Sequence, residues 1–231
     1  VHIKVNIGKN MTELSMVRWG LLSTAAINRA IIPAIAMSPR NELIAVASRT
    51  QEKVDNYAQK HGISRAYGSY VELLADSDID AVYISLPNSL HAEWIVKAAQ
   101  AGKHVLCEKP LVISLEEFDA VEAAARDFKV VVFEAFPHLH HPSIRHALEM
   151  VEAGALGDVQ FINGRGYFRL PPDDVDNIRL KPELGGGSLW DIGVYPVSLA
   201  ITVAGVGAPV EVWGSQITGD TGVDVAFAGQ M

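Results

Sequence analysis

Five short, continuous apolar runs punctuate the first 135 residues, at positions 17–22, 43–47, 81–86, 104–107 and 130–133. They lack period-two alternation, and continuous runs of this length suit strands covered on both faces of a parallel sheet. The segments between them carry helix signals with legible ends. Thr50 opens one that closes at Gly62, and Asn88 or Ser89 starts another that stops at Gly102. Ser69 and Glu72 have capping-box spacing, as do Ser114 and Glu117. Beyond Ser114, the residues Phe118, Val121 and Ala125 fall on one helical face. Strand–helix alternation of this kind implies right-handed crossovers and an α/β fold with a doubly wound parallel sheet.

The pattern changes near Pro137. A helical stretch at 144–152 ends at Gly154, and a long strand is expected at 159–170. A Pro- and Asp-rich loop runs through Pro182, and Gly185, Gly186 and Gly187 precede another helix. Two strands, 210–217 and 223–228, close the chain. Strands that no longer alternate with helices suggest a second α+β domain with a mostly antiparallel sheet. The expected organisation is an extension at 1–16, a nucleotide-binding domain at 17–136 and part of a substrate domain at 137–231.

Composition removes several function classes. With 231 residues, 49% of them hydrophobic, the chain can bury a sizeable core and is not of the disordered type. A net charge of −8 without a basic stripe offers nothing to a phosphate backbone, so no nucleic-acid partner is expected. The single cysteine, Cys107, has no internal partner and lies in an apolar run, as a small hydrophobe rather than a nucleophile. With no apolar signal region in the first sixteen residues, a cytoplasmic setting is expected. The uncharged stretch 192–210 contains Gly193, Pro196, Gly205, Gly207 and Pro209, so it reads as a buried helix and its exit loop, not as a membrane span.

In a doubly wound sheet the ligand lies beyond the carboxyl ends of the strands. The turn after the first run places Ser23, Ala25 and Asn28 at the three glycine positions of the dinucleotide fingerprint, so the motif fails as written. Its physics survives: Ala25 permits close backbone approach, Ser23 and Thr24 offer hydroxyls, and Ile27 begins a helix whose N–H groups attract phosphate. Taken alone, the turn equally suits an ordinary strand–helix connection. The second strand end reads Ser48-Arg49-Thr50, where an NAD site would carry a carboxylate for the ribose hydroxyl. A guanidinium beside two hydroxyls favours the 2′-phosphate of NADP, although Arg49 could also be a solvated residue at a helix start.

Two later segments, Leu86-Pro87-Asn88-Ser89-Leu90-His91 and Glu108-Lys109-Pro110, join this turn and the segment from Gly185 to Tyr195 in one pattern. The chain resembles the glucose–fructose oxidoreductase/inositol dehydrogenase (Gfo/Idh/MocA) family, nearest its tyrosine-bearing dihydrodiol and aldose dehydrogenase branch. The resemblance implies an N-terminal Rossmann domain, a C-terminal α+β domain with an open sheet, and hydride transfer between NAD(P) and a sugar or cyclic diol. It implies that Leu86, Pro87, Asn88 and His91 contact the cofactor, that Glu108 holds the nicotinamide ribose, and that a cis Lys109–Pro110 bond aims Lys109 at the cleft. Tyr195 stands where much of the family has histidine and would be the general acid/base, with Asp191 orienting substrate and Arg179 lining the cleft. A phenol is a weak base at neutral pH unless a cation lowers its pKa, a task suited to Lys109.

His138, His140, His141 and His146 invite a metal reading, but no cysteine or suitably spaced carboxylate completes a ligand set, and no metal is expected. This segment departs from the family's Met-x-Arg-x-x-Pro. An alternative function is a non-catalytic NADP(H) or sugar sensor. By resemblance the full-length form is a homo-oligomer, and the chain is expected to stop inside a strand or hairpin, leaving an aggregation-prone edge.

Overall fold

The computed structural model describes residues 2–3, 16–171, 173–205 and 207–231. The expected extension at 1–16 thus lies almost wholly outside the described residues; only the strand β1 (His2–Ile3) and Met16 are within them. The chain forms two compact units, Val1–Ala135 and Phe136–Met231.

The first unit carries six parallel strands: β2 (Val17–Leu22), β3 (Asn41–Ala47), β4 (Arg65–Tyr67), β5 (Ala81–Ile84), β6 (His104–Glu108) and β7 (Val132–Ala135). Helices connect them: α1 (Asn28–Met37), α2 (Gln51–His61), α3 (Tyr70–Ala75), α4 (His91–Gln100) and α5 (Leu115–Asp127). The sheet order is β1-β7-β6-β5-β2-β3-β4, with β1 antiparallel at the edge. Without β1 this is the doubly wound dinucleotide-binding order, and its switch point falls between β2 and β5.

Both faces of the sheet are covered, which is why the strands read as continuous apolar runs. Leu21, Val46 and Tyr83 pack with Val54 and Ala58 on one face. Leu22, Ala45, Val82 and Ile84 pack with Ile95, Val121 and Ala125 on the other. Local capping follows the sequence closely: Ser114 accepts the Glu117 N–H, and Gly62 ends α2 with φ 67°. At Ser69 the cap forms to the Val71 N–H instead of the Glu72 N–H.

Strand β4 has only three residues and escapes periodicity. Beside it lies a charge network that binds several strand ends. Arg65 donates to Asp76 at 2.6 Å and to Asp78 at 2.7 Å, while Arg18 donates to Asp78 and Asp80. Lys103, 6% exposed, donates to the carbonyls of Asp76 and Ile79. Burial alone would raise the Asp76 carboxyl, but hydrogen bonds from Arg65, the Asp78 N–H and Tyr67 outweigh it and hold its pKa at about 2. A carboxylate depressed in the folded state stabilises above its unfolded pKa and stops doing so as pH falls through the folded value. Stability is therefore expected to drop between about pH 4 and pH 2. Asp76→Asn should cost about 2 kcal/mol at neutral pH, from lost charge-assisted hydrogen bonds, and flatten that acid limb. Urea melts at pH 7, 4, 3 and 2 test both points.

The second unit holds α6 (Pro142–Glu152), a π-helical turn (Leu189–Gly193) running into α7 (Val194–Ala204), and a hairpin of β8 (Trp213–Thr218) and β9 (Asp224–Gln230). The long strand expected at 159–170 does not form: the segment is irregular and has no paired strand among the described residues. Its backbone instead lies close against helical residues. A Cβ on Gly164 would sit 2.8 Å from the Pro196 side chain, and one on Gly166 would sit 2.9 Å from that of Ile192. Gly164 and Gly166 serve close approach to helical residues.

The buried helix expected from the uncharged stretch is also corrected. No residue of α7 is buried. By length and composition alone, the helical run Pro182–Ala204 resembles a span, with mean hydropathy 1.2. Its regular α-helical part has only eleven residues, about 16 Å at 1.5 Å per residue, short of a hydrocarbon core of about 30 Å.

Candidate functional site

The nucleotide-end candidates of the first unit follow directly on strand ends. Ser23, Thr24, Ala25 and Ile27 lie between β2 and α1, Ser48, Arg49 and Thr50 between β3 and α2, Leu86, Pro87 and Asn88 after β5, and Glu108 and Lys109 at the end of β6. The sheet thus brings all of them to its carboxyl edge.

Ser23 adopts φ 122°, a backbone region almost reserved for glycine. It is held there by hydrogen bonds. The Ala25 N–H donates to Ser23 Oγ at 3.1 Å, and the Ser23 and Ser85 hydroxyls meet at 2.9 Å. Asn28 Nδ2 donates to the Ser23 carbonyl at 2.8 Å, while Ser85 Oγ donates to Asn28 Oδ1 at 2.7 Å. Asn28 is fully buried. Side chains at the first and third glycine positions therefore build the turn that glycine would otherwise permit, and the contact with Ser85 spans the switch point.

At the second strand end, Ser48 is buried with its N–H on the Tyr67 carbonyl, whereas Arg49 and Thr50 are exposed. The Thr50 side chain makes no capping bond. The residues present fit a 2′-phosphate: a cation and a hydroxyl with no carboxylate among them.

At the end of β6, the Lys109–Pro110 bond is cis. The loop is fixed from beneath. His91 faces the Pro110 carbonyl with Nδ1 at 2.7 Å and the Leu86 carbonyl with Nε2 at 2.8 Å. Glu134 accepts the Leu111 N–H at 2.7 Å. Tyr83 donates its phenol proton to Glu108. His91, which was expected to contact the cofactor, links two of these loops. It is fully buried with both ring nitrogens against backbone carbonyls, so it ties the 86–88 loop to the 109–111 loop.

In the second unit, Gly187 stands at φ 118°, and a Cβ there would lie 2.1 Å from Asp224 Oδ1. That space admits the Asp224 carboxylate, which accepts from Ser188 Oγ at 2.6 Å and the Leu189 N–H at 2.8 Å, at the start of the π turn. The Gly187 N–H in turn donates to the Arg179 carbonyl at 2.9 Å. Arg179 Nε donates to Asp191 Oδ2 at 2.6 Å, and its guanidinium lies over the Phe168 ring. Asp191 is thus a carboxylate fixed by a cation. Tyr195 follows on α7, with its ring edge-to-face against His138 at 5.0 Å and Phe136 at 5.8 Å.

The other histidines are dispersed. His141 caps α6 through the Ser143 N–H, and His146 pairs with Glu149 at 3.7 Å. Among the described residues no group of three metal-ligating side chains converges. Cys107 is fully buried, and burial pushes its thiol well up, away from nucleophilic use. Five residues that position the site were missed: Asn28, Tyr83, Ser85, Glu134 and Asp224. Ser85 had a visible signal, a polar group inside an otherwise apolar strand run, and Glu134 follows directly on another such run.

A family model described as an oxidoreductase family with an NAD-binding Rossmann fold matches residues 17–136, and a GFO/IDH/MocA C-terminal domain model matches residues 144–231. The chain belongs to the Gfo/Idh/MocA family. It is 45% identical over 213 residues to a D-xylose 1-dehydrogenase (NADP(+)) of Haloferax volcanii, covering 91% of this chain and 64% of that protein. It is 38% identical over 209 residues to a trans-1,2-dihydrobenzene-1,2-diol dehydrogenase of Xenopus laevis, covering 90% and 62%. Among solved structures, a 3-ketoreductase of Actinomadura kijaniata in complex with NADP and TDP-benzene matches with TM-score 0.80 and 34% identity, over 92% of this chain and 65% of that one. The chain therefore spans just under two thirds of the length of these Gfo/Idh/MocA relatives, all of them named as oxidoreductases; none supports the non-catalytic alternative.

Proposed function

We propose that the full-length protein is an NADP-dependent oxidoreductase that moves a hydride between the nicotinamide and a hydroxyl-bearing or carbonyl carbon of a sugar or cyclic diol. The observation that carries this reading is the carboxyl edge of the sheet. There a phosphate turn, a carboxylate-free Ser48-Arg49-Thr50 strand end and a clamped Glu108-Lys109 loop lie on one rim. The nicotinamide, when bound, supplies the hydride acceptor or donor.

In this reading the chain's own residues do the rest. The α1 N-terminus and the Ser23–Ala25 turn receive the pyrophosphate, and Arg49 with Thr50 receives the 2′-phosphate. Glu108 holds the nicotinamide ribose, with Leu86, Pro87 and Asn88 along the cofactor. Tyr195 takes the proton from the substrate hydroxyl during oxidation and returns it during reduction, and Lys109 supplies positive charge that favours the alkoxide. Asp191 orients a substrate hydroxyl, held in place by Arg179. A cytoplasmic site of action and a homo-oligomeric full-length form complete the proposal.

The test is a panel of aldoses, cyclic diols and their keto forms, run with NADP(H) and NAD(H) side by side and followed at the nicotinamide absorbance band. Turnover with NADP at a sugar or diol supports the reading. NADPH binding without turnover of any compound would overturn it. Arg49→Glu gives a sharper check on the cofactor: NADPH affinity should fall about tenfold or more while NADH affinity holds or rises, because a carboxylate repels the 2′-phosphate and grips a free hydroxyl. Fluorescence titration with both reduced cofactors measures the switch.

A further inference from the structure

His138 is the one histidine of its cluster whose ring lies against Tyr195 among the described residues, with centroids 5.0 Å apart at 68°. Its other aromatic neighbour is Phe136, at 5.3 Å. Both ring nitrogens, Nδ1 and Nε2, are closed off from solvent, and among the described residues neither has a hydrogen-bond partner. Buried polar atoms in native proteins are almost always paired, so two orphans on one ring call for a partner that the described residues do not supply. Burial pushes the imidazole pKa down, and the charge of His140 adds to this, which keeps the ring neutral at pH 7. A neutral imidazole presents one N–H donor and one lone pair. A hydroxyl group offers the complement of either.

We propose that His138 binds a second hydroxyl of the substrate, the one next to the hydroxyl or carbonyl handled by Tyr195, and so selects vicinal diols and polyols over simple alcohols. The proposal rests on the reading of the protein as a sugar or diol oxidoreductase with Tyr195 as its acid/base. It assigns a use to a segment where the sequence departs from the family pattern, and it explains why a polar ring is kept beside two aromatic side chains.

The experiment compares trans-1,2-cyclohexanediol and D-xylose with cyclohexanol, which lacks the second hydroxyl, in the full-length protein. Wild type is expected to prefer the diol by at least about tenfold in kcat/KM, the value of one well-placed hydrogen bond. His138→Phe keeps the ring contacts with Phe136 and Tyr195 but removes both nitrogens. Diol and xylose kcat/KM should fall about tenfold, mostly through KM, with cyclohexanol turnover and NADPH affinity unchanged. Its melting temperature should equal or exceed that of wild type, since an orphan polar ring has been replaced by an apolar one. His138→Gln, which retains a donor and an acceptor, should restore part of the preference.

A diol preference that survives in His138→Phe overturns the assignment. So does a wild type that turns over diol and cyclohexanol equally, or loss of NADPH binding and folding in both variants, which would mark a structural histidine. Diol- and xylose-induced shifts in melting temperature of the NADPH-saturated protein give a readout independent of turnover. A wild type with neither turnover nor shift overturns the functional reading itself, and this assignment with it.

Discussion

Tyr195→Phe is expected to lower kcat by a factor of about 100 or more, and Lys109→Ala by a similar factor, the usual scale for removing a general acid/base or the charge that supports it. NADPH should still bind both variants. The phenylalanine ring can keep the edge-to-face contacts that Tyr195 makes with Phe136 and His138, so only the hydroxyl is lost. At Lys109, the loop is fixed by His91 and Glu134 through the backbone of neighbouring residues, which an alanine side chain leaves in place. The loss should appear in kcat and kcat/KM together, because a proton transfer is made only in the transition state. The pH profile separates the two residues. A phenol serves as base only once ionised, so the oxidation rate in wild type should rise with pH towards the phenol pKa. Under the proposed pairing, loss of the Lys109 charge raises that pKa, and the Lys109→Ala limb should move to higher pH, whereas Tyr195→Phe should lose the limb altogether. Unchanged turnover in both variants would remove Tyr195 and Lys109 from the chemistry. Steady-state kinetics from pH 6 to pH 11, with NADPH titrations on the same samples, decide it.

The first unit was legible because burial on both faces leaves a mark that needs no partner information. Strand β2 was expected and found at the same six residues, and the helix ends at Gly62 and Ser114 carry their own local chemistry. Strand β4 was missed because three residues, Arg65 to Tyr67, cannot show a period. The second unit was less legible for a related reason. Residues 159–170 have strand-like composition, but a strand exists only by pairing, and glycine spacing at 164 and 166 is equally a signature of close contact with a helix. In the candidate site, the residues proposed to present chemistry were nominated by motifs. Those that hold them were not, because their partners are remote in sequence. Ser23 and Ser85 are separated by 62 positions, and Ser188 and Asp224 by 36. His91 shows the limit of a motif: the sequence marks its position, while only geometry reveals that both nitrogens face the backbone.

Replacing Ser23 should produce an unusual order of stability and cofactor affinity: wild type above Ser23→Gly, and Ser23→Gly above Ser23→Ala. At φ 122° any residue with a Cβ carries strain of roughly 1–3 kcal/mol, which glycine avoids. Serine offsets the strain with its hydroxyl, which accepts the Ala25 N–H and meets the Ser85 hydroxyl. Alanine keeps the strain and loses both bonds, leaving Ser85 and the Ala25 N–H short of a partner, for a total of about 2–3 kcal/mol. Glycine loses the same bonds but recovers the strain, so the two effects nearly cancel. The turn that would receive the pyrophosphate loosens with the lock, and NADPH affinity should fall about tenfold in Ser23→Ala and severalfold at most in Ser23→Gly. Asn28→Ala should be the most damaging of the set, since Asn28 is fully buried and joins the Ser23 carbonyl to Ser85. Thermal melts with NADPH titrations rank the variants. An alanine variant as stable and as tight-binding as the glycine variant would mean that the hydroxyl does not hold this turn, and that the Ser23 conformation is imposed by the strand end alone.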